Sequence, residues 1–213
     1  IFSHFANAEA KDLTSAKLQL ERFLEVLSFY EKHSLPTPLR HMANSGAILQ
    51  LSESWLDIVR PGILMYGVYP SREVEHTIQV SPALTWSSRV VYFKVVEAGH
   101  PVSYGSTWQS DHAVRMLTIP VGYGDGYFRS MSGSAKVLIN GKRYPVVGAI
   151  CMDQFMVNIE QDSVFNADEV ILVGGDNQNA IRVEELAEWA GTIPYEILTN
   201  INTRVPRVYL QAQ

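Results

Sequence analysis

The hydropathy pattern of this 213-residue chain changes near residues 70–85. Before the change, short apolar runs alternate with helical spacing. The clearest example is Leu13–His33, where the apolar side chains fall on one stripe of a helix. After the change, the sequence reads as a series of strands that closes with two short helices. The pattern therefore predicts two domains, 1–84 and 85–213.

The order of elements in the first domain is that of parallel β/α units. Ile1–Phe5 reads as a buried strand, Leu39–Ala43 as a shorter strand, and an apolar helical turn follows at Ala47–Leu51. Such alternation predicts part of a doubly wound sheet or of a (β/α)₈ barrel. Only two or three units fit before residue 70, so this region is not expected to close a barrel by itself.

The second domain is expected to be a β-barrel or β-sandwich with closing helices at about Val183–Trp189 and Pro194–Ile201. Asn140-Gly141 is a strong hairpin signal, because both central positions of a tight hairpin take positive φ. The expected strands are Ser87–Val96, Met116–Val121, Ala135–Ile139, Arg143–Gly148, Gln154–Ile159 and Glu169–Val173.

Composition excludes several classes of protein. The chain is 46% hydrophobic with a formal net charge of −5, which argues against a nucleic-acid partner. No apolar stretch approaches the roughly 20 residues that span a bilayer, so no membrane partner is expected. The six histidines show no metal-ligand spacing, and no glycine-rich phosphate loop is present. With Cys151 as its one cysteine, the chain gives no sign of secretion, and a cytoplasmic location is expected.

The segment Val121–Arg129 is the most distinctive stretch for chemistry. It places Tyr123 between glycines, beside an acid, directly after an apolar strand. Glycine accepts positive φ and the close approach of other groups, so the tyrosine is presented on a tight loop. Among cationic groups such a phenol could serve as a general base. On its own, however, the segment is better explained as a hairpin turn with a packing tyrosine.

Two further segments lie where a strand passes into a helix, the end of a β/α barrel at which active sites are found. Asn44-Ser45-Gly46 and Arg60-Pro-Gly-Ile63 offer a hydroxyl, glycine amides and helix starts, which suit a bound phosphate. Helix capping and a surface arginine beside a turn proline explain either segment equally well.

The remaining candidates have ordinary structural explanations when each is taken alone. His4 at the end of a strand reads as a core histidine, and Cys151-Met-Asp153 reads as the start of a strand. Tyr104 and Trp108 are expected to be packing residues rather than ligands.

Together, these segments resemble the alanine racemases, the fold-type III enzymes that depend on pyridoxal 5'-phosphate. The match runs in consistent order from His4 to about Tyr209. Its landmarks are Ser3-His-Phe-Ala-Asn7, His41-Met-Ala-Asn-Ser45, Val59-Arg-Pro-Gly-Ile63 with Tyr66-Gly67, Gly122-Tyr-Gly-Asp-Gly126, Gly148-Ala-Ile-Cys-Met-Asp153, and Tyr195-Glu-Ile-Leu198 with Arg204-Val-Pro-Arg207.

The resemblance implies a fold: the C-terminal portion of a (β/α)₈ barrel, followed by a mainly-β domain. It also implies an activity, the interconversion of L-alanine and D-alanine as a pyridoxal-phosphate aldimine, with two bases moving the α-proton. Tyr123 would be one base, Arg60 would contact the pyridine nitrogen of the cofactor, and His4 would bridge the two.

The resemblance assigns binding roles as well. Ser45, Gly62 and Ile63 would hold the cofactor phosphate, and Asn44 would line the same pocket. The main-chain amide of Met152 would hold the substrate carboxylate. In this family the tyrosine and the methionine reach the neighbouring subunit's site, so a head-to-tail homodimer acting on a small amino acid is expected.

The sequence departs from the family pattern in two places. None of its lysines stands in the context of the family's cofactor-bearing lysine, so we expect the 213 residues to be the C-terminal part of a racemase, inactive alone. Thr203 occupies a position where some members carry a tyrosine that reaches the phosphate. Three alternatives stay open: a racemase of broader specificity, a fold-type III decarboxylase, and a non-catalytic β-domain for dimerisation or binding.

Overall fold

The computed structural model describes residues 1–176 and 179–210. It divides the chain into two compact units, Ile1–Ala83 and a second unit that begins at Leu84. Within the described ranges, none of the helices has the length and apolar character required to cross a membrane.

The first unit has two α-helices, α1 (Thr14–Lys32) and α2 (Ser45–Gln50), and short 3₁₀ turns at Ser52–Ser54 and Ile63–Tyr66. Three extended segments lie side by side: single parallel bridges join Phe2 to His41 and His41 to Ile58. Parallel neighbours linked through helices are the arrangement that the alternating sequence pattern predicted.

Helix α1 forms where the apolar spacing predicted it. Ala16, Leu20, Phe23 and Leu27 recur every three or four residues and are all buried on one face. Two prolines follow the helix within six residues of its end, and proline cannot continue the hydrogen-bond ladder.

The prediction of a buried strand at Ile1–Phe5 was wrong in detail. Phe2 is exposed, and within this segment only Phe5 belongs to the core. Both this segment and Leu39–Ala43 pair at a single position instead of forming a ladder. A ladder needs several consecutive registered residues, and these segments run alongside each other too briefly to form one.

The second unit is built on one seven-stranded antiparallel sheet with the strand order β1-β7-β4-β5-β6-β3-β2. Two helices follow the sheet in sequence, α3 (Val183–Ala190) and α4 (Pro194–Asn200). The strands are β1 (Trp86–Arg89), β2 (Tyr92–Val96), β3 (Val114–Ile119), β4 (Lys136–Ile139), β5 (Lys142–Val147), β6 (Phe155–Asn158) and β7 (Glu169–Val173).

The sheet corrects one predicted strand and agrees with one predicted turn. The expected strand Ser87–Val96 is split at Val90–Val91, because β1 pairs with β7 whereas β2 pairs with β3 at the opposite edge. Asn140 and Gly141 both have positive φ, +50° and +76°, and join β4 to β5 as a two-residue hairpin.

Tyr127 lies in the core of the second unit, stacked on Phe155 and edge-on to Trp86. Its side chain is fully buried, its hydroxyl has no partner among the described residues, and burial raises the pKa of the phenol. We expect Tyr127→Phe to leave the free energy of unfolding unchanged or to raise it by about 1 kcal/mol, because a buried hydroxyl without a partner costs stability.

Urea unfolding of the chain measures this effect, and Tyr144→Phe is the matched control. The buried Tyr144 donates its hydroxyl to the carboxylate Oδ2 of Asp162 at 2.8 Å, so its loss should cost about 1.5–3 kcal/mol. Equal losses in the two variants would show that the Tyr127 hydroxyl also has a stabilising contact.

Candidate functional site

Arg60 is the centre of a polar network in the first unit. Its Nη1 lies 2.5 Å from His41 Nδ1. Its Nη2 donates to the carbonyl of Ser3 at 2.8 Å and lies 3.1 Å from His4 Nδ1. The guanidinium also stands 5.6 Å from the centre of the Phe2 ring, within the range of a cation–π contact. The side chain is therefore fixed from several directions.

The Nε–H of Arg60 makes no hydrogen bond to any residue that the structure describes. The guanidinium is planar, permanently charged and rich in donors, so this N–H is available to an acceptor outside the chain. The network thus holds a cation in place and leaves the Nε–H unused.

His41 was not assigned a role from the sequence, although it stands in one of the quoted landmarks. Its burial, and then the positive charge of Arg60, lower the pKa of the imidazole. The neutral ring stacks on Phe2 and can accept the Arg60 hydrogen bond through Nδ1. The signal available in the sequence was a histidine three residues before Asn44 at the end of a predicted strand.

The residues predicted to hold a phosphate meet at one point. Ser45 is buried, and its Oγ lies 3.4 Å from the amide nitrogen of Leu64 and 3.7 Å from where a Cβ on Gly62 would stand. Ile63 begins the 3₁₀ turn between Gly62 and Leu64. Asn44 accepts from the amide of Ala47 at 3.1 Å and so caps α2.

In the second unit, Tyr123 begins a 3₁₀ turn that is bonded to the loop before β6. The amide of Tyr123 donates to the carbonyl of Cys151 at 3.0 Å, and the amide of Gly124 donates to the carbonyl of Met152 at 2.9 Å. Tyr123 is 43% exposed and Met152 is 53% exposed. The Met152 N–H has no acceptor among the described residues, so it is free to bind a ligand.

Charged side chains stabilise this turn through hydrogen bonds and ion pairs. Asp125 accepts from the amide of Gly122 at 2.8 Å and from Arg204 Nε at 2.6 Å, and Arg204 Nη2 also donates to Asp153 at 2.6 Å. Burial alone would raise the pKa of Asp125, but the hydrogen bonds from Arg204 and Gly122 outweigh it and hold the pKa below its ordinary value. The carboxylate is therefore charged, and it stabilises the turn by joining Gly122 to Arg204.

Glycine is required twice in this turn. A Cβ on Gly122 would lie 2.2 Å from the carbonyl oxygen of Cys151 and 2.4 Å from that of Met152. Gly126 has φ +99°, and a Cβ there would lie 2.2 Å from the carbonyl oxygen of Asn200. The tight packing that the glycine-rich sequence predicted is therefore present on both sides of Tyr123.

Tyr123 and Met152 line an open cleft of about 830 Å³ in the second unit. Its lining residues are Ser103, Tyr104, Tyr123, Cys151, Met152, Asp153, Gln154 and Met156. The described ranges hold no group of three or more histidine, cysteine, aspartate or glutamate side chains placed to bind a metal ion.

Tyr104 was expected to be a packing residue, and the structure contradicts this. The ring is 75% exposed on the wall of the cleft, whereas Trp108, from the same loop, packs against the buried cluster around Val102. The loop is held in an unusual conformation, since Ser103 and Ser106 have φ of +68° and +51°. The cleft therefore offers two phenols, and only one of them was chosen from the sequence.

The predicted site residues fall into two groups, one in each unit. His4 lies beside Arg60, and Ser45 lies beside Gly62 in the first unit. The second group comprises Tyr123 and Met152, and their cleft also contains Tyr104, which was not predicted as a site residue.

Two family profiles match the chain. The profile described as "Alanine racemase, N-terminal domain" matches residues 1–70, and the one described as "Alanine racemase, C-terminal domain" matches residues 83–209. The chain belongs to the alanine racemase family. The recognition made from the sequence landmarks, and with it the α/β plus β fold class, is thereby confirmed.

Individual relatives agree with the family profiles. The alanine racemase of Carboxydothermus hydrogenoformans is 47% identical over 212 residues, which cover 99% of this chain and 58% of that protein. The crystal structure of alanine racemase from D-cycloserine-producing Streptomyces lavendulae superposes with a TM-score of 0.93 at 39% identity, over 100% of this chain and 56% of that one.

A third relative carries the cofactor. The structure of alanine racemase from Bartonella henselae with covalently bound pyridoxal phosphate superposes with a TM-score of 0.88 at 33% identity, over 99% of this chain and 56% of that one. The chain thus spans between half and three fifths of the length of these relatives.

Proposed function

We propose that this chain works as part of a pyridoxal-phosphate-dependent alanine racemase that interconverts L-alanine and D-alanine. Membership of the family supports the reaction class. The observation in the site itself that carries the proposal is the anchored guanidinium of Arg60, whose Nε–H has no acceptor among the described residues.

That N–H fits the pyridine nitrogen of the cofactor. A guanidinium donates a hydrogen bond but does not give up its proton near neutral pH, so the ring nitrogen facing it would stay unprotonated. His41 and His4 keep the guanidinium in position. When bound, the cofactor draws electrons from the substrate and acidifies its α-carbon.

The phosphate of the cofactor fits the point where Ser45 and Gly62 meet. The Ser45 hydroxyl can donate to a phosphate oxygen, and the absent side chain of Gly62 leaves room 3.7 Å from that hydroxyl. Ile63 offers the next amide, and Asn44 shapes the approach by fixing the start of α2.

In the second unit, the free amide of Met152 is proposed to hold the substrate carboxylate, and a phenol of the same cleft to move the α-proton. The sequence assigned this proton to Tyr123, which stays a prediction. Tyr104 has the stronger claim on physical grounds: it is the more exposed ring, and its loop is strained, as loops that present reacting groups often are.

The proposal includes a cytoplasmic head-to-tail homodimer in which the cleft of one subunit completes the cofactor site of its partner. The exposure of Tyr104, Tyr123 and Met152 in the single chain supports this arrangement, because groups that reach a partner's site are uncovered until the partner binds. The substrate class is a small amino acid.

Reconstitution tests the function. The purified chain, alone and mixed with the N-terminal segment of the Carboxydothermus relative that it does not match, is supplied with pyridoxal phosphate and L-alanine. We expect D-alanine, and the visible absorbance of bound cofactor, in the mixture and neither in the chain alone. A mixture that binds cofactor but forms an amine by decarboxylation, or that racemises other amino acids and leaves alanine untouched, would refute the assignment.

A further inference from the structure

The loop that carries Tyr104 is held in a conformation that its own sequence does not favour. Ser103 has φ +68° and ψ 179°, a region populated almost entirely by glycine, and Gly105 and Ser106 also have positive φ. Such a conformation persists only where the surroundings impose it. The contacts of Ser103 therefore decide where the following residue, Tyr104, stands.

One side-chain hydrogen bond joins Ser103 to the segment that precedes Met152. Its hydroxyl donates to the carbonyl oxygen of Ala149 at 2.8 Å and lies 3.8 Å from the Cys151 sulfur. The two segments are also closely packed: a Cβ on Gly148 would stand 2.6 Å from the Ser103 Cβ and 3.0 Å from the carbonyl oxygen of Val102. Ser103 is thus packed against the segment that follows β5 and continues to Met152.

From this geometry we propose that Ser103 is a positioning residue: its hydroxyl fixes the Tyr104 phenol relative to the Met152 amide across the cleft. The catalytic importance of this positioning rests on the proposed racemase function, in which Met152 holds the substrate carboxylate and Tyr104 faces the α-carbon. The hydrogen bond from Ser103 to Ala149 links residues 46 positions apart in sequence. While this bond is intact, neither loop can shift without the other.

A positioning role and a merely steric role predict different outcomes at Ser103. At positive φ, serine has a steric cost in free energy but makes the hydrogen bond to Ala149. Glycine adopts the same φ without that cost but has no hydroxyl. If only backbone conformation mattered, Ser103→Gly would be as active as the native enzyme. If the hydroxyl positions Tyr104, both Ser103→Gly and Ser103→Ala must lose activity.

The test is made in the reconstituted, cofactor-loaded racemase. We expect both variants to lower kcat for alanine by about ten- to a hundredfold with a smaller change in KM, because a misplacement of about 1 Å at a reacting group costs up to about a hundredfold. Ser106→Ala, in the same loop but outside the lining of the cleft, is the matched control and should keep its native kcat.

A second readout does not depend on catalysis. In the chain itself, the Ser106 amide bonds to the Ser103 carbonyl and the Val102 amide to the Trp108 carbonyl. We expect both amides to exchange hydrogen at least about tenfold faster in Ser103→Gly, with native exchange in the sheet. Native kcat in Ser103→Gly, or unchanged exchange of these amides, would overturn the positioning role. Faster exchange in a reconstituted protein that never racemises alanine would refute the proposed function instead.

Discussion

Tyr104→Phe is expected to lower kcat for alanine racemisation by about 10²–10⁴ in the reconstituted racemase, the usual contribution of a general acid or base. The substitution removes only the phenolic oxygen of a ring that is already 75% exposed, so folding and cofactor binding should be unchanged. Initial rates in both directions measure the effect, and cofactor absorbance checks that the site is loaded.

Tyr123→Phe and Tyr92→Phe complete the comparison. Tyr123 lines the same cleft, so Tyr123→Phe is expected to lower kcat by less than tenfold, through a change in the shape and polarity of the cleft wall. Tyr92 is a comparably exposed tyrosine on the edge strand β2 and should have no effect. If Tyr123→Phe abolishes turnover and Tyr104→Phe does not, the base is Tyr123, as the sequence predicted.

Gly122→Ala is expected to destabilise the second unit by about 3 kcal/mol, at the upper end of overpacking costs. The new methyl group would meet two carbonyl oxygens, those of Cys151 and Met152, at 2.2 and 2.4 Å. Relief requires the loops to separate, and that breaks the amide bonds from Tyr123 and Gly124. Urea unfolding followed by circular dichroism measures the loss, and racemisation should fall with it.

The control separates crowding from backbone strain. Gly133 has φ +78°, and a Cβ there would meet nothing within 4 Å, so Gly133→Ala carries the strain without the clash. It should cost about 1–2 kcal/mol and leave the cleft intact. If Gly122→Ala proves no more costly than Gly133→Ala, then the two loops are not packed as tightly as described.

Local features were predictable from the sequence because they depend on near neighbours. The α1 stripe follows from a repeat of three or four residues, and the Asn140-Gly141 hairpin from the φ preferences of two residues. The break at Val90–Val91 depends instead on β1 pairing with β7 and β2 with β3. Such long-range pairings leave no mark in the local pattern, so one strand was predicted where there are two.

The site was predictable in part for the same reason. Arg60, Ser45 and Gly62 stood in recognisable motifs, and the structure places each beside other predicted partners. Their roles stay predictions. The exposure of Tyr104 was not predictable, because an aromatic residue in a loop is buried or exposed according to what packs over it. His41 was visible in a motif, but its bond to Arg60 joins residues 19 positions apart.

The bridge from Arg204 to Asp125 and Asp153 has a consequence for biosynthesis. The arginine is 79 positions after the first aspartate and 51 after the second. During translation, the turn that holds Tyr123 therefore leaves the ribosome long before the cation that braces it. Until then Asp125 and Asp153 lack that counter-charge, so a nascent chain that has already formed its sheet would still have an immature cleft.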